Sequence, residues 1–274
     1  SDSVTVMIND HHERTVLLNL KTLERLDQDK ALSFFKERFG TPSDFTFIFT
    51  GNIDPENENV KQSILTYLGG LKSKKVKEHF TDNKIRKPRG LVNNHFAREM
   101  QIKKASNFIL YSGALPYNIE NKTAMTAIGN ILNMRYLESI REKEGGSYGV
   151  GVRGALGNTP VDQASVMMQF DTDPEKQAHL MSIIHKEVDE IVEKGPRADD
   201  LGKVKENMIK KYAEDLRENN WWSGAIVRFY QDELNFVEDY TAAVEALTSE
   251  KIQSTLRKLT EQGNVLEVVM MPGE

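Results

Sequence analysis

Two distant stretches of the chain lie over one another without a gap. LDQDKALSFFKERFGTPSDFTFIFTGNID begins at Leu26, and LTSEKIQSTLRKLTEQGNVLEVVMMPGE begins at Leu247. At that fixed offset Leu26 falls on Leu247, Asp29 on Glu250, Lys30 on Lys251 and Phe35 on Leu256. The alternating Phe45, Phe47 and Phe49 then fall on Leu266, Val268 and Met270, so each copy reads as a helix followed by a strand. A helix and strand in succession are common in mixed proteins, and periodicity alone leaves a chance match open. If the repetition is real, the second unit is complete over residues 91–274, and residues 1–70 are only the tail of a preceding homologous unit. Such a chain has the look of a fragment of a longer protein.

The stretch between the copies, LKSKKVKEHFTDNKIRKPRG, is rich in Lys and Arg and ends in Pro88 and Gly90. A run of this kind serves either as an interaction patch or as a solvated linker, and in an acidic chain the linker, residues 71–90, is the better reading. Beyond it, HFAREMQI and ASNFILYSGAL alternate as strands across the turn-like KKAS. The next segment places Met125, Ile128, Ile131, Leu132, Tyr136 and Leu137 at helical spacing and stops at Gly145. GSYGVGVRGAL and QASVMMQFDTD follow as adjacent strands. A helix with Leu180, Ile183, Ile184, Val188 and Ile191 on one stripe runs from Pro174 to Gly195. Further helices and a last strand, VLEVVM, close the unit. Strands early and late around a helical block predict an α+β fold, with a layer of helices packed on a largely antiparallel sheet.

Composition restricts the chemistry. With 274 residues, 39% of them hydrophobic, the chain can bury a substantial core. A formal charge of -5 argues against nucleic acid as a partner, since phosphate neutralisation needs a surplus of cations. There is no Cys, hence no disulfide, thiolate metal site or cysteine nucleophile. No apolar run reaches the roughly 20 residues of a membrane span, and SDSVTVMIND is not built like a signal peptide. Neither H-E-x-x-H nor H-x-x-E-H surrounds any of the six histidines, so no metal-binding residues are expected here. His179 and His185 read as packing or surface residues, and His11 and His12 diverge as neighbours. Asp199 and Asp200 read as helix caps, and Trp221 and Trp222 as core or interface packing. No phosphate-binding loop or G-x-S-x-G elbow occurs.

LESIREKEGGSYGV is the most informative stretch. It places Arg141 and Tyr148 seven apart across a double-glycine turn, and it resembles the arginine-tyrosine segment in the carboxy-terminal half of zinc peptidases of the pitrilysin/insulinase family. FFKERFGTPSDFTFIFTGNID, YLGGL, FDTDPEKQ, VEKGPRADDLGKVKENM and DLRENNWW are similar, in order, to landmarks of that family's bacterial members, so the resemblance spans nearly the whole chain. The resemblance implies a clamshell of homologous α+β units. The first carries the inverted zinc motif, and a later one donates the arginine and tyrosine across the cavity.

On this reading zinc is bound by an amino-terminal half absent from the sequence. That half, in the same chain or in a partner subunit, and a peptide or protein substrate are the expected partners. By resemblance, Tyr148 is the catalytic residue, its phenol donating to the oxygen on which negative charge builds, and Arg141 is the substrate-binding residue, its forked donors holding a neighbouring carbonyl. Without the resemblance, an Arg near a helix carboxy terminus and a strand Tyr are ordinary. The activity expected of the whole protein is zinc metalloendopeptidase, with this segment alone inactive; the alternative is a catalytically inactive homologue acting as a structural or peptide-binding subunit. The bacterial relatives suggest the periplasm or cell envelope.

Overall fold

A computed structural model describes residues 2–72, 79–145, 147 and 149–273. In chain order the elements are α1 (Asp2–Ile8), α2 (Leu20–Leu23), α3 (Gln28–Phe39), α4 (Glu58–Ile64), β1 (Leu91–Arg98), β2 (Ala105–Gly113) and α5 (Ile119–Tyr136). They continue with β3 (Gly151–Gly157), β4 (Gln163–Thr172), α6 (Gln177–Lys194), α7 (Ala198–Asp215), α8 (Asn219–Asp232), α9 (Tyr240–Glu245), α10 (Ser249–Thr260) and β5 (Val265–Pro272).

The five strands form one sheet in the order β1-β5-β2-β4-β3. Only β1 and β5 run parallel, with Leu91 opposite Val265; the other pairs are antiparallel, with Ala105 opposite Thr172 and Gly151 opposite Gln169. The α+β expectation is met. The two strands expected across KKAS are present, and β5 lies between them in the sheet. Strand order is set by long-range backbone pairing, which local alternation does not encode.

Alternation within the strands sorts the two faces. Ile109, Tyr111, Val166, Met168, Phe170 and Val269 point into the main core with α5, α6, α7 and α10, whereas Phe108, Leu110, Leu266 and Val268 point the other way, against Val4, Met7 and Ile8 of α1. Met125, Ile128, Ile131, Leu132 and Tyr136 of α5 are buried as their spacing predicts, while Leu137 is largely exposed. At α6, Gly195 ends the helix with φ at +77° and returns its N–H to the Ile191 carbonyl. Arg135, almost fully buried, lies 2.6 Å from both Glu187 and Glu190 and ties α5 to α6. Its Nε contact to Glu187 is close but lacks hydrogen-bond alignment, so the link there is chiefly one of charge.

The two segments matched in sequence share a helix of equal length. Gln28–Phe39 and Ser249–Thr260 are both twelve-residue helices, each beginning two residues beyond its matched leucine. Asp27 and Thr248, which match, cap their helices the same way, each accepting from the N–H of the matched Lys30 or Lys251. The strands differ. Val265–Pro272 is hydrogen-bonded on both sides, whereas residues 45–50 form no strand, and Phe45, Phe47 and Phe49 stand exposed. Alternation specifies a strand only where a ladder partner exists, and the described residues offer residues 45–50 none. Thr50 instead touches Ser223 of α8 by a 2.8 Å hydrogen bond.

Candidate functional site: the groove at the end of α5

After Tyr136 the helix widens into a π-helical stretch, Leu137–Lys143, before Gly145 stops it with φ at +55°. Within that stretch Ile140 is fully buried, and Arg141, the next residue, points to solvent. The surroundings hold the segment in place. Glu138 accepts from Lys143 (2.8 Å) and from Arg197 at the start of α7 (2.7 Å), and these hydrogen bonds hold its carboxyl down at about 2. Glu144 meets His179 of α6 at 3.1 Å, and Lys176 Nζ donates to the Glu144 carbonyl. The helix end is therefore moored to α6 and α7 by side chains other than Arg141.

Arg141 has no hydrogen-bond or ion-pair partner among the described residues and lines an open groove of about 760 Å³. Gly145 and Ser147 contribute to the groove from the turn, Ile102, Lys103 and Lys104 from the connection before β2, and Asp171, Thr172 and Asp173 from the end of β4. The antiparallel register brings the last two groups together, since Ala105 pairs with Thr172. Lys104 and Asp171 neutralise each other at 2.5 Å. Burial pushes the Asp171 carboxyl up, but hydrogen bonds from Lys104 and Ser106 outweigh it and leave the group below its ordinary range. Lys103, Arg141 and Asp173 have no such partner among the described residues, so the groove offers two cations and one anion to a ligand. Tyr148, expected opposite Arg141, lies outside the described residues, as does Gly146. Next to it, Ser147 and Gly149 bond to each other, with Ser147 Oγ donating to the Gly149 carbonyl at 3.0 Å.

The other candidates take structural places. His185 bridges the helix layer and the sheet, with Nδ1 at 2.6 Å from the Tyr111 hydroxyl and Nε2 at 3.0 Å from Glu267. The hydrogen bond from His185 holds the Glu267 carboxyl below its ordinary value, and burial pushes the Tyr111 hydroxyl well up. His12 meets the Asn83 carbonyl. Asp199 and Asp200 are not caps. Arg197 occupies the cap position, and the two acids sit in the first turn of α7, where the helix dipole favours them; Asp199 pairs with Lys203 at 2.6 Å. Trp221 packs with Phe236, Ile119 and Ala243, as expected of a core aromatic. Among the described residues no three His, Asp or Glu side chains gather as metal ligands. Zinc therefore does not fit the described part of this chain.

Sequence reasoning missed Lys103, Lys104, Asp171 and Asp173. KKAS and FDTD are both visible in the sequence, but only the β2–β4 register makes them neighbours.

The helix-backed, largely antiparallel sheet is a fold that this chain shares with solved protease structures. The chain belongs to the peptidase M16 inactive-domain family, whose family model matches residues 25–208. It is 24% identical over 276 aligned residues to a zinc protease PQQL-like protein of Arabidopsis thaliana, covering 93% of this chain and 28% of the relative. It is 21% identical to the probable zinc protease PqqL of Escherichia coli, covering 95% of this chain and 28% of that protein. The crystal structure of the periplasmic protease PqqL from Escherichia coli superimposes with a TM-score of 0.81 at 17% identity, over 99% of this chain and 30% of that one. The ferredoxin protease FusC, solved in complex with Arabidopsis ferredoxin, gives 0.76 at 13% identity over 98% of this chain and 29% of that one. The chain thus spans less than a third of the length of these relatives.

Proposed function

We propose that the chain is the carboxy-terminal, non-zinc-binding portion of a zinc metalloendopeptidase. In the whole protein it encloses peptide or protein substrates together with a zinc-bearing amino-terminal half and supplies Arg141 and Tyr148 to the shared active site. The observation that carries this reading is Arg141 itself. It is a guanidinium without a partner among the described residues, beside an open groove and on a helix end tied to its neighbours by ion pairs. A guanidinium so placed can donate two converging N–H groups to one peptide carbonyl oxygen and so orient the scissile bond. Tyr148 donates its phenolic proton in a hydrogen bond to the oxygen on which charge develops.

Residues 1–70 are the tail of a preceding homologous unit, residues 71–90 the connection, and residues 91–274 a complete unit. The matched caps of α3 and α10 and the exposed Phe45, Phe47 and Phe49 support that division. The relatives named as zinc proteases support zinc in the other half, and the ferredoxin complex of FusC supports a protein-sized substrate. A periplasmic relative supports a periplasmic or envelope location; no described helix is long and apolar enough to cross a membrane.

The test is a peptide-cleavage assay of the full-length protein and of this 274-residue chain, each with and without a chelator. Chelator-sensitive cleavage by the full-length protein and none by the chain alone is the expected result. Absence of cleavage by the full-length protein, with no H-x-x-E-H segment upstream or in a neighbouring reading frame, would instead establish the inactive-subunit alternative.

A further inference from the structure

The second concavity of interest lies at the opposite end of the sheet. The groove beside Arg141 touches the start of β2 and the end of β4, whereas this one touches the end of β2 and the start of β4, roughly 27 Å away by strand rise. Its volume is about 480 Å³. Residues 86–89, at the end of the basic run that reads from sequence as a solvated linker, form one wall of it. Pro88 is buried there, Lys87 is half-buried, and Arg89 stands at the exposed rim.

The polar groups in this cavity divide sharply into those already satisfied and those that are not. Asn264 accepts from the Gly90 N–H and donates to the Ser112 carbonyl, and Gln262 exchanges two hydrogen bonds with Ala114. These amides fix the floor. Arg86 is committed to Asp82. Lys87 has only a neutral partner among the described residues, donating to Gln163 Oε1 at 3.1 Å, and burial lowers its pKa. Arg89 has no partner among the described residues. The remaining charge is Asp162, one of whose oxygens accepts the Tyr117 N–H. Lys87 and Arg89 against Asp162 leave one uncompensated positive charge in a half-enclosed cavity. A partly desolvated ammonium gains most from an anionic hydrogen-bond partner.

We propose that this cavity is a binding site for a carboxylate, with Lys87 and Arg89 as its anion-holding residues. A single negative charge matches the one uncompensated cation, whereas a phosphate dianion exceeds it. The apolar Pro88 and Val161 give the remainder of an acidic side chain or a chain terminus a surface to lie on. This assignment is independent of the roles of Arg141 and Tyr148.

Saturation-transfer NMR on the full-length protein at fixed ionic strength tests it with three probes. These are N-acetylglutamate α-amide, which carries a side-chain carboxylate, N-acetylglycine, which carries a terminal one, and the neutral N-acetylglutamine amide. At least one carboxylate probe should bind saturably while the neutral probe does not, and the stronger of the two identifies the source. Lys87→Met should weaken that probe at least about tenfold, the loss of one charge-assisted hydrogen bond. Arg89→Gln, on the exposed rim, should weaken it severalfold without risk to the fold. Lys210→Met, exposed on α7 and lining neither concavity, should leave it unchanged. Equal binding of the neutral probe, unaltered binding in both Lys87→Met and Arg89→Gln, or displacement by phosphate at lower concentration than by the carboxylates would each overturn the proposal.

Discussion

Replacing Gly154 by alanine probes the closest approach between a helix and a strand in the unit. A Cβ at Gly154 would lie 1.8 Å from the Met125 carbonyl oxygen and 2.8 Å from its carbon, both backbone atoms of α5. Restoring even a 3.0 Å contact requires a displacement of 3.0 − 1.8 = 1.2 Å. The helix cannot supply it, because Met125, Ile128 and Ile131 are fully buried on its inner side. The strand must, since β3 is the edge of the sheet and, among the described strands, pairs with β4 alone. Moving it loosens that ladder and opens the seam with α5, which puts the cost at about 3 kcal/mol, the upper end for overpacking, because the collision is with backbone. Urea denaturation reads this as a midpoint lower by roughly 1 M or more. Gly202→Ala in α7 is the control. Nothing lies within 4 Å of its added Cβ, and the exposed helix should gain about 1 kcal/mol. If Gly154→Ala unfolds at the wild-type midpoint while Gly202→Ala is stabilised, β3 does not rest on α5 as described.

The ionic ties give two further expectations. Arg135→Met removes a buried guanidinium and leaves Glu187 and Glu190 facing one another, which should cost about 3–5 kcal/mol in denaturant unfolding. Adding Glu187→Gln and Glu190→Gln should recover most of it, and no recovery would show that packing rather than charge holds that seam. Glu138, whose carboxyl is held at about 2, contributes stability above its unfolded pKa near 4.5, and that contribution is lost as pH falls through its folded value. Because the group is partly exposed, solvent screening limits the effect to less than about 1 kcal/mol. Thermal midpoints between pH 4.5 and 2 should therefore fall slightly less in Glu138→Gln than in the wild type, and parallel curves would contradict the assigned hydrogen bonds.

Much of the second unit is legible in the sequence because its signals are local. The stripe of α6, the stop at Gly145 and the matched helices α3 and α10 all follow from residue spacing and caps, and each is present. What escaped depends on distant residues. Strand order, with β5 entering between β1 and β2, has no local signal, and Phe45, Phe47 and Phe49 alternate without becoming a strand, because both facts rest on partners elsewhere in the chain. The candidate site divides the same way. Arg141 was identified from a motif, but the π-helical widening that turns it outward beside the buried Ile140 has no marker in the sequence. Lys103, Lys104, Asp171 and Asp173 join it only through the β2–β4 register. Lys87 was assigned to a solvated linker, and its half-burial follows from the way Pro88 sinks into the end of the sheet.

The proposed divided active site is tested most directly by steady-state kinetics of Tyr148→Phe and Arg141→Ala in the full-length protein with a peptide substrate. Tyr148→Phe should lower kcat with little change in KM, since the phenolic hydrogen bond strengthens only as charge develops, and removal of one such donor costs on the order of 10²-fold. Arg141→Ala should lower kcat and raise KM together, since the proposed role has it hold the substrate before and during the reaction. Unchanged kcat in Tyr148→Phe and unchanged KM in Arg141→Ala would show that this helix-to-strand corner takes no part in the chemistry.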